Sequence, residues 1–272
     1  MDEAPEQVKP RQYPWKGVIY LAAGLLLVVW LLYTPVGLFG KADAIGYAVC
    51  HRIDARSFHL DDRQLPLCAR CSGMYLGAVL GLVFQYLTSN RLSGGPSWRV
   101  VAVLAVLVGA FGVDGVNSYL HLFPWAPSLY EPQNWLRLLT GTGMGIVVAV
   151  VLFPAFNQTM WIHWDQRKAI RGLPSLGLLL ALGLLLDLLV MTENPVFLYP
   201  LALISAAGVL ALLTMVYSMV LVMLFKLENR FQMLRQMAIP LTGGFMMALA
   251  QIAILDLVRF YLTGTWSGFT IG

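Results

Sequence analysis

Seven long apolar stretches dominate this sequence and leave few folds open to it. They run over about 17–39, 72–89, 100–122, 135–156, 173–191, 197–225 and 238–262. A helix needs about 20 mostly apolar residues to cross a bilayer core, and each stretch has that length. In lipid every backbone N–H and C=O must be satisfied within the protein, so the expected form of each stretch is a helix. Composition agrees, with 58% of the 272 residues apolar and only 12% charged. A soluble domain carries about twice that share of charge. An ordinary soluble globule, a disordered chain and a small disulfide scaffold are thereby excluded. The expected fold class is all-α, a polytopic membrane helix bundle of about seven transmembrane helices in the lipid bilayer.

The basic residues orient the chain. Lys9, Arg11, Lys16, Arg91, Arg99, Arg167, Lys168, Arg171, Lys226, Arg230 and Arg235 all fall on one set of connections, and those after the third and fifth stretches carry no Lys or Arg. Positive residues collect on the cytoplasmic side. The expected orientation is N-in/C-out in the cell (cytoplasmic) membrane, a bacterial inner membrane. Residues 1–16 then form a cytoplasmic tail. The first stretch is a retained span, since it is too long for a signal peptide and no small-residue cleavage site follows. This sorting accounts for the net charge of +4, so nucleic acid is not an expected partner. Residues 1–272 read as one membrane domain, without internal repeats.

One connection breaks the pattern. The expected extracytoplasmic loop 40–71 carries Lys41, Arg52, Arg56, Arg63 and Arg70 beside four aspartates, and long loops in compact proteins are usually functional. It also holds all three cysteines, in the pattern C-H-x16-C-x2-C formed by Cys50, His51, Cys68 and Cys71. Three thiolates and an imidazole are a common zinc set. The competing chemistry is redox: Cys68 and Cys71 form C-x-x-C at a helix start, where thiol acidity rises, and Cys50 is placed to shuttle electrons toward a quinone. An ordinary disulfide with an idle third cysteine is the plain alternative. Ser72 follows the C-x-x-C pair where a c-type haem site needs histidine. His59 reads as a surface residue, and His121 and His163 as interfacial ones.

Charges within spans are costly and mark function or pairing. Asp114, Arg137, Asp187, Asp256 and Arg259 all fall toward the side that carries the 40–71 loop. They outline an outward-facing polar pocket beneath it, with Asp114–Arg137 as the first expected pair and Asp256–Arg259 as a local one. Gly112 and Gly115 flank Asp114 and suggest close backbone approach or local unwinding. Gly73, Gly77 and Gly81 form a small-residue stripe for tight helix packing. The glycine-rich run 140–145 lacks the strand and lysine of a phosphate loop, and reads as another close helix contact.

Taken together, CHR, RSF and PLCARCSGMYLG, then Asp114-Gly115, then Asn134-x2-Arg137-x2-Thr140-Gly141-x3-Gly145 resemble a prokaryotic membrane-protein family catalogued as domain of unknown function 2085. The resemblance covers about residues 45–148. It implies signature positions at Cys50, His51, Arg56, Ser57, Cys68, Arg70, Cys71, Gly73, Tyr75, Gly77, Asp114, Asn134, Arg137, Thr140 and Gly141. Helices over 72–156 then carry the signature, and those over 173–262 are an addition without it. All four candidate metal ligands belong to the signature, which favours metal over a simple thiol pair.

The leading expectation is an extracytoplasmic zinc site with three cysteine ligands and one histidine, at Cys50, His51, Cys68 and Cys71. It roofs a pocket of Arg56, Arg70, Asp114, Asn134 and Arg137 suited to an anionic or lipid ligand. Four protein ligands would make the zinc structural. The alternatives are a membrane thiol–disulfide/quinone oxidoreductase using Cys68 and Cys71, and a metal-dependent hydrolase at the outer face with Asp114 as base. A third is a non-catalytic subunit that docks other membrane subunits.

Overall fold

The computed structural model describes residues 15–268 except 124 and 126, so most of the expected cytoplasmic tail lies outside the described residues. The described residues form eight α-helices: α1 (Lys16–Tyr33), α2 (Gly37–Val49), α3 (Ala69–Ser89), α4 (Trp98–Leu120), α5 (Asn134–Met160), α6 (Leu173–Met191), α7 (Pro195–Leu224) and α8 (Ala238–Thr263). All except α2 are long and apolar enough to cross a membrane. The protein is an all-α polytopic membrane bundle. Side chains such as Leu21, Leu25, Val106, Val113, Leu184 and Leu188 stand exposed on the helix faces. Lipid is the solvent that makes such faces stable.

The first helix ends earlier than the apolar pattern suggested. Thr34 precedes Pro35 and is extended, at φ −95° and ψ 160°, because the proline ring disfavours helical backbone in the residue before it. Gly37, at φ +82°, then starts α2. Its 13 residues rise only about 20 Å, too short to span. The first half of the expected loop is therefore a helix, with Phe39, Ala44, Ile45 and Tyr47 buried against the bundle.

At the centre is α5, whose most apolar stretch is 72% buried, against 11% for α1. It runs parallel to α3 with almost nothing between the two backbones. A Cβ on Gly73 would lie 2.3 Å from Leu138 O, and one on Gly77 2.4 Å from Thr142 O. The contact is reciprocal, since a Cβ on Gly141 would lie 2.2 Å from Arg70 O and one on Gly145 2.0 Å from Met74 O. Both glycine runs thus do what their spacing suggested. Gly112 and Gly115 do not. Continuous helix runs through them in α4, and added Cβ atoms there would meet nothing within 4 Å.

The start of α3, the end of α4 and the start of α5 share one end of the bundle, together with α2 and the end of α8. The opposite end is stitched by loops. There β1 (Leu92–Gly94) pairs with β2 (Asp165–Lys168), Trp161 bridges Phe231, and Asn157 Nδ2 donates to Asn90 O and Leu92 O at 3.1 Å each.

Candidate functional site

Helix ends position the cysteines. Cys50 caps the C-terminus of α2 and Cys68 the N-terminus of α3, both with extended backbone, while Cys71 lies in the first turn of α3. Their three sulfurs lie within 4.8 Å of one another. The Cys68 N–H, pointing out of the helix start, donates to Cys50 Sγ at 3.3 Å. Hydrogen bonds from the Cys68 and Cys71 thiols are the main reason Cys50 is held well below the ordinary cysteine range, against the effect of burial. Cys68, which gives one of those bonds, is pushed up. Cys50 is thus the most acidic of the three thiols.

His51 is not part of that group. Its Nδ1 accepts the Ile53 N–H at 3.0 Å, so in the neutral ring the proton sits on Nε2. Burial lowers its pKa; the Cys50 charge opposes this, and Arg56, Arg70 and Arg137 reinforce it. The ring therefore lies within the fields of both the cysteine and the arginine groups.

The second group gathers around Ser118 and Asp114 on α4. Arg70, from the first turn of α3, forks onto Asp114 Oδ2 through Nε at 3.1 Å and through Nη2. Tyr130 hydroxyl donates to Asp114 Oδ1 at 2.9 Å and Thr140 hydroxyl to Oδ2 at 3.4 Å. Burial and this carboxylate raise the Tyr130 pKa. Ser118 is the shared acceptor. Its Oγ receives Arg70 Nη2 at 2.9 Å and Arg137 Nε at 3.4 Å, and its carbonyl receives Arg56 Nη2 at 3.1 Å. Arg137 Nη1 donates to Asn134 Oδ1 at 2.8 Å, and Asn134 Nδ2 reaches Ala55 O and Ser57 O at 3.3 Å each. Arg56, Arg70, Asp114, Asn134 and Arg137 are all brought together.

The pairing differs from expectation. Arg70, not Arg137, grips Asp114, and Arg137 instead donates to Ser118 Oγ, which Arg70 Nη2 also reaches. Asp187 and Asp256 stay outside the group. Asp187 accepts from Thr142 hydroxyl at 2.6 Å and Asp256 from Trp30 Nε1 at 3.4 Å. Arg259, expected to pair with Asp256, reaches into the loop backbone. Its Nη1 donates to Tyr47 O and Cys50 O at 2.6 Å each, and its Nη2 to His51 O at 3.1 Å. A cation placed on the last carbonyls of a helix is favourable, and here it ties α8 to the backbone that carries Cys50.

Sequence reasoning assigned no role to Ser118 or Tyr130, and it did not foresee the reach of Arg259 to the loop. Ser118 lies four residues, one helical turn, after Asp114 on α4. Tyr130 lies in a connection folded back by Asn117, whose side chain accepts Leu129 N–H at 2.6 Å and donates to Tyr130 O at 2.9 Å. No sequence signal marks that return.

The fold and site define a multi-pass membrane protein with a three-cysteine cluster and an arginine-rich group at one end of the bundle. Residues 50–151 match the model of the family described as predicted membrane protein (DUF2085), in line with the motif resemblance. The matched stretch contains every site residue except Arg259. Uncharacterized protein MJ1492 of Methanocaldococcus jannaschii is 26% identical over 122 residues, 43% of this chain and 70% of the relative. An uncharacterized protein of Methanothermobacter thermautotrophicus is 29% identical over 103 residues, 38% of this chain and 83% of the relative. No solved structure matches.

Proposed function

We propose that the chain is a cell-membrane protein whose cysteine cluster holds zinc at the outer face and braces an adjoining site for an anionic or lipid ligand. The observation that carries this reading is the convergence of Arg56, Arg70 and Arg137 on Ser118, around the single carboxylate of Asp114. Three soft sulfurs within 4.8 Å suit a thiophilic cation such as Zn2+. His51 was the expected fourth ligand. Its engaged Nδ1 argues for three sulfur ligands alone, with the remaining position left to a ligand from outside. Asp114 is the anchor of Arg70 rather than a free base, so the hydrolase alternative loses its proposed base.

Metal analysis of the purified protein tests the first half. About one zinc per chain is expected, lost in Cys50→Ser, Cys68→Ser and Cys71→Ser and kept in His51→Ala. A folded, metal-free protein whose three thiols cycle with a quinone would overturn it in favour of the oxidoreductase. Retention of anionic lipid through purification tests the second half. Equal retention of anionic and neutral lipid, with no binding of a soluble anion, would overturn it.

A further inference from the structure

We infer that the arginine group is built for a phosphomonoester, taken either from a lipid headgroup or from a soluble phosphate. This rests on the anion-binding reading above and says which anion. The argument begins with the local charge. Both carboxylate oxygens of Asp114 accept hydrogen bonds, Oδ2 from Arg70 and Thr140 and Oδ1 from Tyr130. Its negative charge is therefore matched to Arg70. The partners of Arg56 and Arg137 are neutral: Ser118 O, Ser118 Oγ and Asn134 Oδ1. Two guanidinium charges thus stand without a counter-charge in hydrogen-bonding contact among the described residues.

Donor capacity points the same way. The hydrogen bonds of Arg56 use Nη2 alone, and those of Arg137 use Nε and Nη1. Among the described residues, Nε and Nη1 of Arg56 and Nη2 of Arg137 have no protein acceptor. None of these three nitrogens is a fully enclosed atom, so each keeps some contact with the surface, although Arg137 as a whole is only 5% exposed. A phosphomonoester offers three terminal oxygens and close to two negative charges. A phosphodiester offers two such oxygens and one charge, and would leave one guanidinium uncompensated. The planar guanidinium fork suits phosphate oxygens better than an ammonium does. The backbone adds to this, because the parallel helices α3 and α5 both begin at this end, and helix N-termini favour anions.

The experiment places the full-length protein in phosphatidylcholine nanodiscs doped with phosphatidic acid, a monoester, or with phosphatidylglycerol, a diester. Bound lipid is read by native mass spectrometry, and inorganic phosphate and glycerol 3-phosphate serve as soluble probes. Retention of phosphatidic acid about tenfold above phosphatidylglycerol is expected, as is a loss of about tenfold or more in Arg56→Gln and in Arg137→Gln. Arg63→Gln, a nearby exposed arginine paired with Asp43, should leave it unchanged. Melting curves identify any variant that merely misfolds, and Arg56, on a loop, is the safer site. Binding of the soluble probes without preference for phosphatidic acid supports the phosphate assignment and identifies a soluble source. Equal retention of both lipids, with no binding of soluble phosphate, overturns the monoester inference but leaves an anionic site. Failure of every anionic probe to exceed phosphatidylcholine overturns both.

Discussion

Asp114 shows how much one residue decides. It is 1% exposed, and the Arg70 side chain is 19% exposed. Taking one partner from such a pair leaves a buried charge unmatched, at a cost of about 3–5 kcal/mol. Arg70→Met is therefore expected to lower the melting temperature of the solubilised protein sharply. The double variant Arg70→Met with Asp114→Leu should recover much of the loss, and strictly additive losses would show that the two residues do not act as a pair. The residue types of this site were legible, because charges and cysteines stand out in so apolar a chain. Their pairing was not. Arg70 and Arg137 both lie near the helix ends beside Asp114, and spacing along one chain does not say which long side chain reaches it. The direction of the His51 ring was equally hidden, since it depends on a turn that brings the Ile53 N–H back to Nδ1.

Among elements, α3 and α5 form the tightest pair, and glycines set their distance. Gly145→Leu would drive a side chain into Met74 O and the Ala78 backbone N–H, neither of which can retreat without moving a helix. Loss of folded protein in detergent, read by size-exclusion chromatography, is the expected result. Gly112→Ala is the matched control. It meets open space on α4 and should be neutral or stabilise by about 0.5–1 kcal/mol through helix propensity. Comparable damage from both would mean that the α3–α5 contact is not what the glycines serve. The repeat at every fourth residue made the stripes on these helices visible in advance. The glycines of α4 misled because they flank the buried Asp114, and only the neighbours of a helix face tell packing from lipid exposure. The break between α1 and α2 was legible in principle from Thr34-Pro35, but the apolar run across it masked the signal.

Across the whole molecule, seven long helices followed from hydropathy alone, while the joining of the C-terminal helices to the cysteine loop did not. Arg259 makes that join. Arg259→Ala is expected to leave the bundle assembled and to speed release of the proposed zinc to a chelator, because the carbonyls of Tyr47, Cys50 and His51 lose their clamp. An unchanged release rate would confine the role of Arg259 to packing. The N-in/C-out orientation is open to direct measurement with reporters fused after residue 272. Alkaline phosphatase should be active there and a cytoplasm-dependent fluorescent protein dark, and the reverse pattern would invert the orientation.

The parallel run of α3 and α5 has a consequence for how such a chain can grow. Two neighbouring helices that point the same way need a third to return between them, so α3, α4 and α5 make an odd number of crossings. A chain that enters this unit at the cysteine face must leave it at the far face. Helices α6, α7 and α8 are again odd in number, and they carry the chain back. Only that parity lets Arg259, 209 residues after Cys50, close its grip on the loop where the motif began. An extension of two helices, however well packed, would have left its last residues across the bilayer.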